Sequence, residues 1–236
     1  MALEDSLRDV THVFFDVGGT ILRPEPGAAE VFRRALARRG HAIDRETLRR
    51  LLRTPERLVN LISPVGQERR VEYYRHVNAR VLEHLGFDSE DPLLDEIRDA
   101  FDSVQWRPYP ETLSVLKELR AAGYALGIVS NADERLPEVL ARCRVAEFFD
   151  TVTFSMEVGH EKPDPRIFRR AVAHAGAIPE RSLHVGDDYD ADYLGARRAG
   201  LHALIIVRSG EPPGPCPHVR SLTEVCGLLP TPRSRV

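Results

Sequence analysis

Lysine is almost absent from this 236-residue chain: of 33 cationic side chains only Lys117 and Lys162 are lysines. Arginine cannot stand in everywhere for a compact ammonium, so a lysine kept against that background points to a place needing a point charge. Cysteine is scarce too. Cys143, Cys216 and Cys226 are odd in number and lack a metal-ligand spacing, which excludes a disulfide framework and a zinc site and makes the cytoplasm the expected compartment. No window approaches the roughly 18 consecutive apolar residues of a membrane span, and the N-terminal MALEDSLRDV is polar where a signal peptide is apolar. A formal net charge of -3 leaves no basic field, so neither nucleic acid nor a membrane is an expected partner, and oligomeric state is left open. With 42% hydrophobic and 29% charged residues, the chain can bury one core, or one core and a small second domain.

Short apolar runs recur. THVFFD (11–16), YALGIVS (124–130), TVTFS (151–155), SLHVGD (182–187) and HALIIV (202–207) read as strands buried on both faces, separated by helical patterns at 110–122, 134–143, 165–176 and 190–199. That alternation predicts an α/β fold with a Rossmann-like parallel sheet. Residues 23–106 break the rhythm. AAEVFRRALARRG, RETLRRLLRTPERLVNLI, EYYRHVNARVLEHLG and PLLDEIRDAFDSV carry apolar residues at three- and four-residue spacing, which predicts a smaller all-helical domain inserted after the first strand, with 1–22 and 107–236 as the core. WRPYP (106–110) reads as a linker, EPPGPCP (211–217) as a loop, 221–228 as a last short helix and PTPRSRV as a frayed end. There is no internal repeat.

Ligands of open parallel sheets bind at the carboxyl ends of the strands. There the first strand ends on Asp16, the strand at 124–130 on Ser130-Asn131, and that at 182–187 on Gly186-Asp187-Asp188, with Lys162 in the intervening GHEKPDPRIF. Singly each has an ordinary explanation: a turn or helix cap for Asp16, Ser130-Asn131 and Asp187-Asp188, a solvated loop for Lys162. Together they suit phosphoryl transfer to a carboxylate. Asp16 could attack and form a covalent intermediate, and Asp16 with Asp187 offers Mg²⁺ a hard, oxygen-rich site. Ser130, with Asn131 beside it, and the backbone of Gly18, Gly19 and Thr20 would bind phosphoryl oxygens. Lys162 would neutralise charge on nucleophile and phosphate.

DVGGT (16–20), SN (130–131), Lys162 with PDPRIF behind it and GDDYDAD with GARRAG behind it (186–200) resemble, in this order and spacing, the haloacid dehalogenase-like hydrolase superfamily. The resemblance covers almost the whole chain. It implies a Rossmann-like core with a helical cap after strand one, Asp16 as nucleophile and Mg²⁺ ligand, the Gly18 carbonyl and Asp187 as further ligands, Asp192 as a supporting acid, and Ser130 and Lys162 as binders of a small phosphorylated substrate.

One position departs from the family's phosphatases, which carry a second aspartate two residues after the nucleophile as general acid and base. Here it is Gly18. Losing such a group forfeits roughly 10²–10⁴ in rate, about 3–5 kcal/mol of barrier, and least for substrates with good leaving groups. Glu72, His76 or Asp133 could serve instead. The gap also admits a non-catalytic Mg²⁺- and phosphate-binding or interaction protein. A dehalogenase fits less well: Asp187 belongs to the metal-binding form of the fourth motif, and dehalogenases typically have tyrosine at the position of Gly18. A lysine-dependent phosphonate hydrolase is excluded, since 23–106 contains no lysine.

Overall fold

The computed structural model describes residues 6–52 and 67–230. The chain divides into two compact units, one of Met1–Arg23 with Pro108–Val236 and the other of Pro24–Arg107.

The strands, in chain order, are β1 His12–Phe15, β2 Leu22–Glu25, β3 Gln105–Pro108, β4 Ala125–Ser130, β5 Thr151–Phe154, β6 Ser182–Gly186, β7 His202–Ile206 and β8 His218–Val219. Six of them form one sheet in the order β5-β4-β1-β6-β7-β8, and every neighbouring pair is parallel. The α/β, Rossmann-like expectation holds. All four residues of β1 (HVFF) are buried, as a strand covered by helices on both faces requires. Phe14, Val129, Ile167, Phe168, Ala171 and Ala196 meet in one cluster; burying a side chain such as Phe168 stabilises by about 1.5–3 kcal/mol.

After β1 the chain goes to β4 and β5 on one side, then returns to β6, β7 and β8 on the other. This reversal at β1 makes the carboxyl ends of β4, β1 and β6 the place where a crevice forms. Register sets Phe15 level with both Ile128 and Val185, so the residues just beyond β1, β4 and β6 emerge side by side.

Two segments differ from expectation. The stretch read as a linker begins in β3, which pairs with β2 in a separate two-stranded sheet. Both strands are largely solvent-facing, so neither carries the apolar pattern that marks a strand. The region read as a helix at 190–199 is a π-helical turn, Tyr189–Leu194, followed by a short α-helix, Gly195–Arg198.

The second unit is built on helices Ala28–Ala37, Arg45–Leu51, Gln67–His84 and Asp91–Asp102. They enclose their own core of Val31, Phe32, Leu36, Leu48, Leu82 and Ile97. Part of the expected helical stretch RETLRRLLRTPERLVNLI lies outside the described residues, as do the first five residues and the tail from 231. Several arginines of this unit pair with nearby acids, Arg33 and Arg34 with Glu30 and Arg38 with Glu96. At such exposure water and salt screen these pairs, and they stabilise only weakly.

Candidate active site

β1 delivers Asp16 to the reversal point, where its backbone N–H donates to the Val185 carbonyl at 2.9 Å. The side chain is buried, 7% exposed. Its Oδ1 accepts from Ser130 Oγ at 3.0 Å and from Lys162 Nζ at 2.6 Å. No group among the described residues bonds its Oδ2. One oxygen is thus fixed by a hydroxyl and an ammonium while the other is left to react or to bind a ligand.

Lys162 is held from behind. The Asn131 side chain clasps its backbone, Oδ1 accepting from the Lys162 N–H at 2.7 Å and Nδ2 donating to its carbonyl at 3.0 Å. The ammonium also donates to Asp192 Oδ1 at 2.5 Å. Burial works against the charge on Lys162, but Asp16 and Asp192 outweigh it and hold the ammonium above its usual range.

Asp192 is 1% exposed, and the π-helical turn accounts for its position. Asp188 caps that turn, its side chain accepting from the N–H groups of Asp190 and Ala191. The wider turn swings Asp192 under the end of β6, where its Cγ lies 2.1 Å from where a Cβ on Gly186 would be. Asp192 Oδ2 accepts from the backbone N–H of Asp187 and Asp188 at 3.1 and 3.0 Å. Oδ1 receives His184 Nε2 at 2.9 Å besides Lys162. A carboxylate only accepts, so the ring nitrogen facing it carries the proton. Burial favours the neutral acid, yet Lys162 and His184 hold the Asp192 carboxyl far below its usual range. Its binding capacity is committed within the protein.

Asp187 differs. Its carboxylate has no hydrogen-bond partner among the described residues and is exposed at the mouth of the site. Loss of hydration on its packed side, then the charges of Asp16 and Asp192, raise its pKa well above the ordinary carboxylate value. Burial likewise raises Asp16, with Lys162 opposing. One oxygen from each of Asp16, Asp187 and Asp192 lies within 4.8 Å of the others. Fully ionised, the three carboxylates exceed the single ammonium by two negative charges, and the oxygens of Asp16 and Asp187 not taken by protein donors are hard ligands suited to a small divalent cation.

The loop after Asp16 assigns its residues differently from the reading of its sequence. The Gly19 N–H donates to the Leu22 carbonyl at 2.9 Å and is taken up inside the loop rather than offered to a phosphoryl oxygen. Gly19 is needed for space: its φ is 80°, and an added Cβ would stand 2.2 Å from Asp187 Oδ2. Thr20 is fully buried, so its side chain has no path to a substrate; its Oγ1 has no partner among the described residues. Gly18 pairs with Leu22 in an isolated bridge. Asn131 braces Lys162, as above. Of the alternative proton carriers, Asp133 is buried and gripped by Arg135, with Nη2 to Oδ2 at 2.7 Å. Glu72 and His76 are exposed on helix Gln67–His84.

His184 was not legible as a site residue. The one signal was a histidine inside an apolar strand, which a core position also explains.

Residues 10–200 match the haloacid dehalogenase-like hydrolase family. The chain belongs to that family. Among its relatives, the glyceraldehyde 3-phosphate phosphatase of Methanothermobacter thermautotrophicus is 37% identical over 199 residues, 82% of this chain and 84% of that protein. The phosphoserine phosphatase of Thermus thermophilus is 38% identical over 123 residues, about half of each chain (51% and 49%). A hydrolase of the family from Deinococcus radiodurans, solved with bound phosphate and sodium, superposes with a TM-score of 0.71 at 22% identity, covering 95% of this chain and 99% of that one. As a haloacid dehalogenase-like hydrolase, the chain keeps a carboxylate, hydroxyl, lysine and acidic cluster in mutual reach at its strand ends.

Proposed function

We propose that this hydrolase is a Mg²⁺-dependent phosphatase of a small phosphorylated metabolite, with Asp16 as nucleophile and the helical unit 24–107 as its cap. The observation that carries the reading is the state of Asp16: Oδ1 pinned by Ser130 and Lys162, Oδ2 left without a protein partner. The names of the two phosphatase relatives support a small phosphorylated substrate.

The free oxygen of Asp16 attacks phosphorus, forming an acyl phosphate on Asp16 as the bond from phosphorus to the leaving oxygen breaks. Lys162 stays beside the nucleophile and compensates negative charge gathered there, while Ser130 can donate to the carboxylate or to a phosphoryl oxygen. Water then attacks the same phosphorus, releasing orthophosphate and restoring the carboxylate. Asp192, held by His184 and two backbone amides, keeps the ammonium in place through both steps. Mg²⁺ would be held by Asp16 and Asp187 with the Gly18 carbonyl; when bound, it supplies charge neutralisation around the phosphoryl group. With glycine at 18, nothing in the loop protonates the leaving oxygen, so the reading favours acyl and aryl phosphates, whose leaving groups need little protonation.

The test is Mg²⁺-dependent turnover of p-nitrophenyl phosphate and acetyl phosphate by the wild type and Asp16→Asn. The wild type is expected to hydrolyse both and the variant to lose at least ~10³ in kcat. Equal turnover by the two proteins sinks the nucleophile assignment. No turnover by the wild type favours the second reading, a Mg²⁺- and phosphate-binding protein, which the glycine at position 18 keeps open.

A further inference from the structure

Arg208 lies two residues beyond β7, at the same carboxyl end of the sheet as Asp16 and Asp187. Its guanidinium makes four contacts, three through its nitrogens and one through its face. Nη2 donates to the Thr20 carbonyl at 2.5 Å, and Nε reaches the Gly19 carbonyl at 3.5 Å. Nη1 pairs with Glu111 Oε1. The flat face lies over the Tyr109 ring, Cζ 3.6 Å from its centroid. Arg208 and Glu111 side chains are each only 20% exposed. We propose that Arg208 is a positioning residue that sets the geometry of the nucleophile loop, a role resting on the reading of Asp16 as nucleophile.

The loop's own bonds leave this task open. Between Asp16 and β2, the Gly19 N–H bonds to Leu22 O, and the N–H groups of Ile21 and Leu22 both bond to Val17 O. The Ile21 carbonyl is tied by the Tyr109 N–H at 3.2 Å and Thr112 Oγ1 at 2.8 Å. Of the carbonyls that remain, that of Gly18 is the one assigned above to the metal, and Arg208 takes those of Gly19 and Thr20. A peptide unit is planar, so fixing a carbonyl also fixes the N–H on the opposite side of that unit. Arg208 therefore orients the peptide Gly19-Thr20, next to the spot where Gly19 lies against Asp187 Oδ2, and adds a second tie to the peptide Thr20-Ile21, whose N–H is already held by Val17 O. The buried hydroxyl of Thr20 adds no tie of its own, having no partner among the described residues.

The residue type fits the role. A planar fork reaches two adjacent carbonyls and one carboxylate while stacking on a ring; an ammonium on a flexible stem does only part of this. Glu111 fixes the far side of the fork, and its own carboxylate is reached by Ser221 Oγ at 3.4 Å. The strap thus joins the nucleophile loop to the starts of helices Thr112–Ala121 and Leu222–Leu228.

The experiment compares wild type, Arg208→Lys and Arg208→Ala in kcat and KM for p-nitrophenyl phosphate, in melting temperature, and in hydrogen exchange of the peptide spanning 14–22. Expected is a fall in kcat of about 10–100-fold with KM nearly unchanged, since small displacements of a reacting group cost up to about this much. Arg208→Lys is expected to recover little. Guanidinium at millimolar concentration, well below denaturing levels, should restore several-fold of the kcat of Arg208→Ala and slow its raised exchange at 14–22, whereas ethylammonium should do neither. Unchanged kcat per folded molecule, or unchanged exchange at 14–22, overturns the proposal. A wild type without turnover overturns the phosphatase reading instead, and the exchange measurement then decides the role of Arg208 by itself.

Discussion

Gly18 and Gly19 are neighbours in sequence with different reasons to be glycine. Gly19 has a φ of 80° and no room for a Cβ. Gly18 is not among the described residues with positive φ, so its backbone conformation does not demand glycine. Gly18→Asp is expected to fold and to place a carboxyl two residues beyond Asp16. If proton supply is what the loop lacks, turnover of an alkyl phosphate should rise by about 10²–10⁴-fold, while p-nitrophenyl phosphate, with its good leaving group, should gain far less. A ratio of the two activities that does not move on substitution would mean that the proton comes from elsewhere. The rest of the loop shows what sequence can convey at this scale. Asp16, Ser130, Asn131, Lys162 and Asp187 could be grouped because strand ends in a parallel sheet are collected by topology. The amide of Gly19 and the hydroxyl of Thr20 could not be assigned, because their direction depends on how the loop folds back on Leu22 and Val17. Arg208 was invisible for the same reason: its partners are carbonyls, which leave no mark in the sequence.

Lys162 depends on the elements that hold it, above all the helix that starts three residues later. Helix Pro165–His174 is capped by Asp164, whose side chain accepts from the Arg166 N–H, with Pro165 at the first position. Asp164→Ala is expected to destabilise the protein by about 1 kcal/mol, a fall in melting temperature of about 2–4 °C. The hydrogen bond and charge of Arg166, then the backbone amide, pull the Asp164 carboxyl from 3.8 to about 2. A depressed carboxyl contributes stability that is fully present above its unfolded value and is lost as pH falls through its folded one. The difference between wild type and variant in denaturant unfolding should thus be constant from neutral pH to about pH 5 and shrink between pH 4 and 2. A difference that grows on acidification would contradict the cap. This helix was legible, since Asp-Pro ahead of an apolar period is a start signal. Strands β2 and β3 were not, because an exposed two-stranded ribbon has no apolar face to announce it. The π-helical turn was read as ordinary helix: the insertion follows from where Asp192 must reach, and periodicity does not record that.

Across the whole chain the net charge is only -3, yet at the meeting of β4, β1 and β6 three carboxylates face one ammonium. Two of those carboxylates have donors that answer their charge: Asp16 has Ser130 and Lys162, and Asp192 has Lys162, His184 and two amides. Asp187 has none among the described residues, so the uncompensated repulsion is concentrated on the one of the three that faces solvent. A cation that binds there in the native state, and only weakly to the unfolded chain, must raise stability by RT ln(1 + [L]/Kd), about 2.7 kcal/mol at a hundredfold excess over Kd. For a chain of this size that corresponds to roughly 5–10 °C. Titrating Mg²⁺ at fixed ionic strength should therefore raise the melting temperature of the wild type along a saturating curve. In Asp187→Asn the repulsion is partly removed and the ligand is lost, so two opposite signs are expected: a higher melting temperature without metal and most of the Mg²⁺-dependent rise gone. A purely ionic-strength effect would raise both proteins alike, and equal Mg²⁺ responses in the two would exclude Asp187 as a ligand.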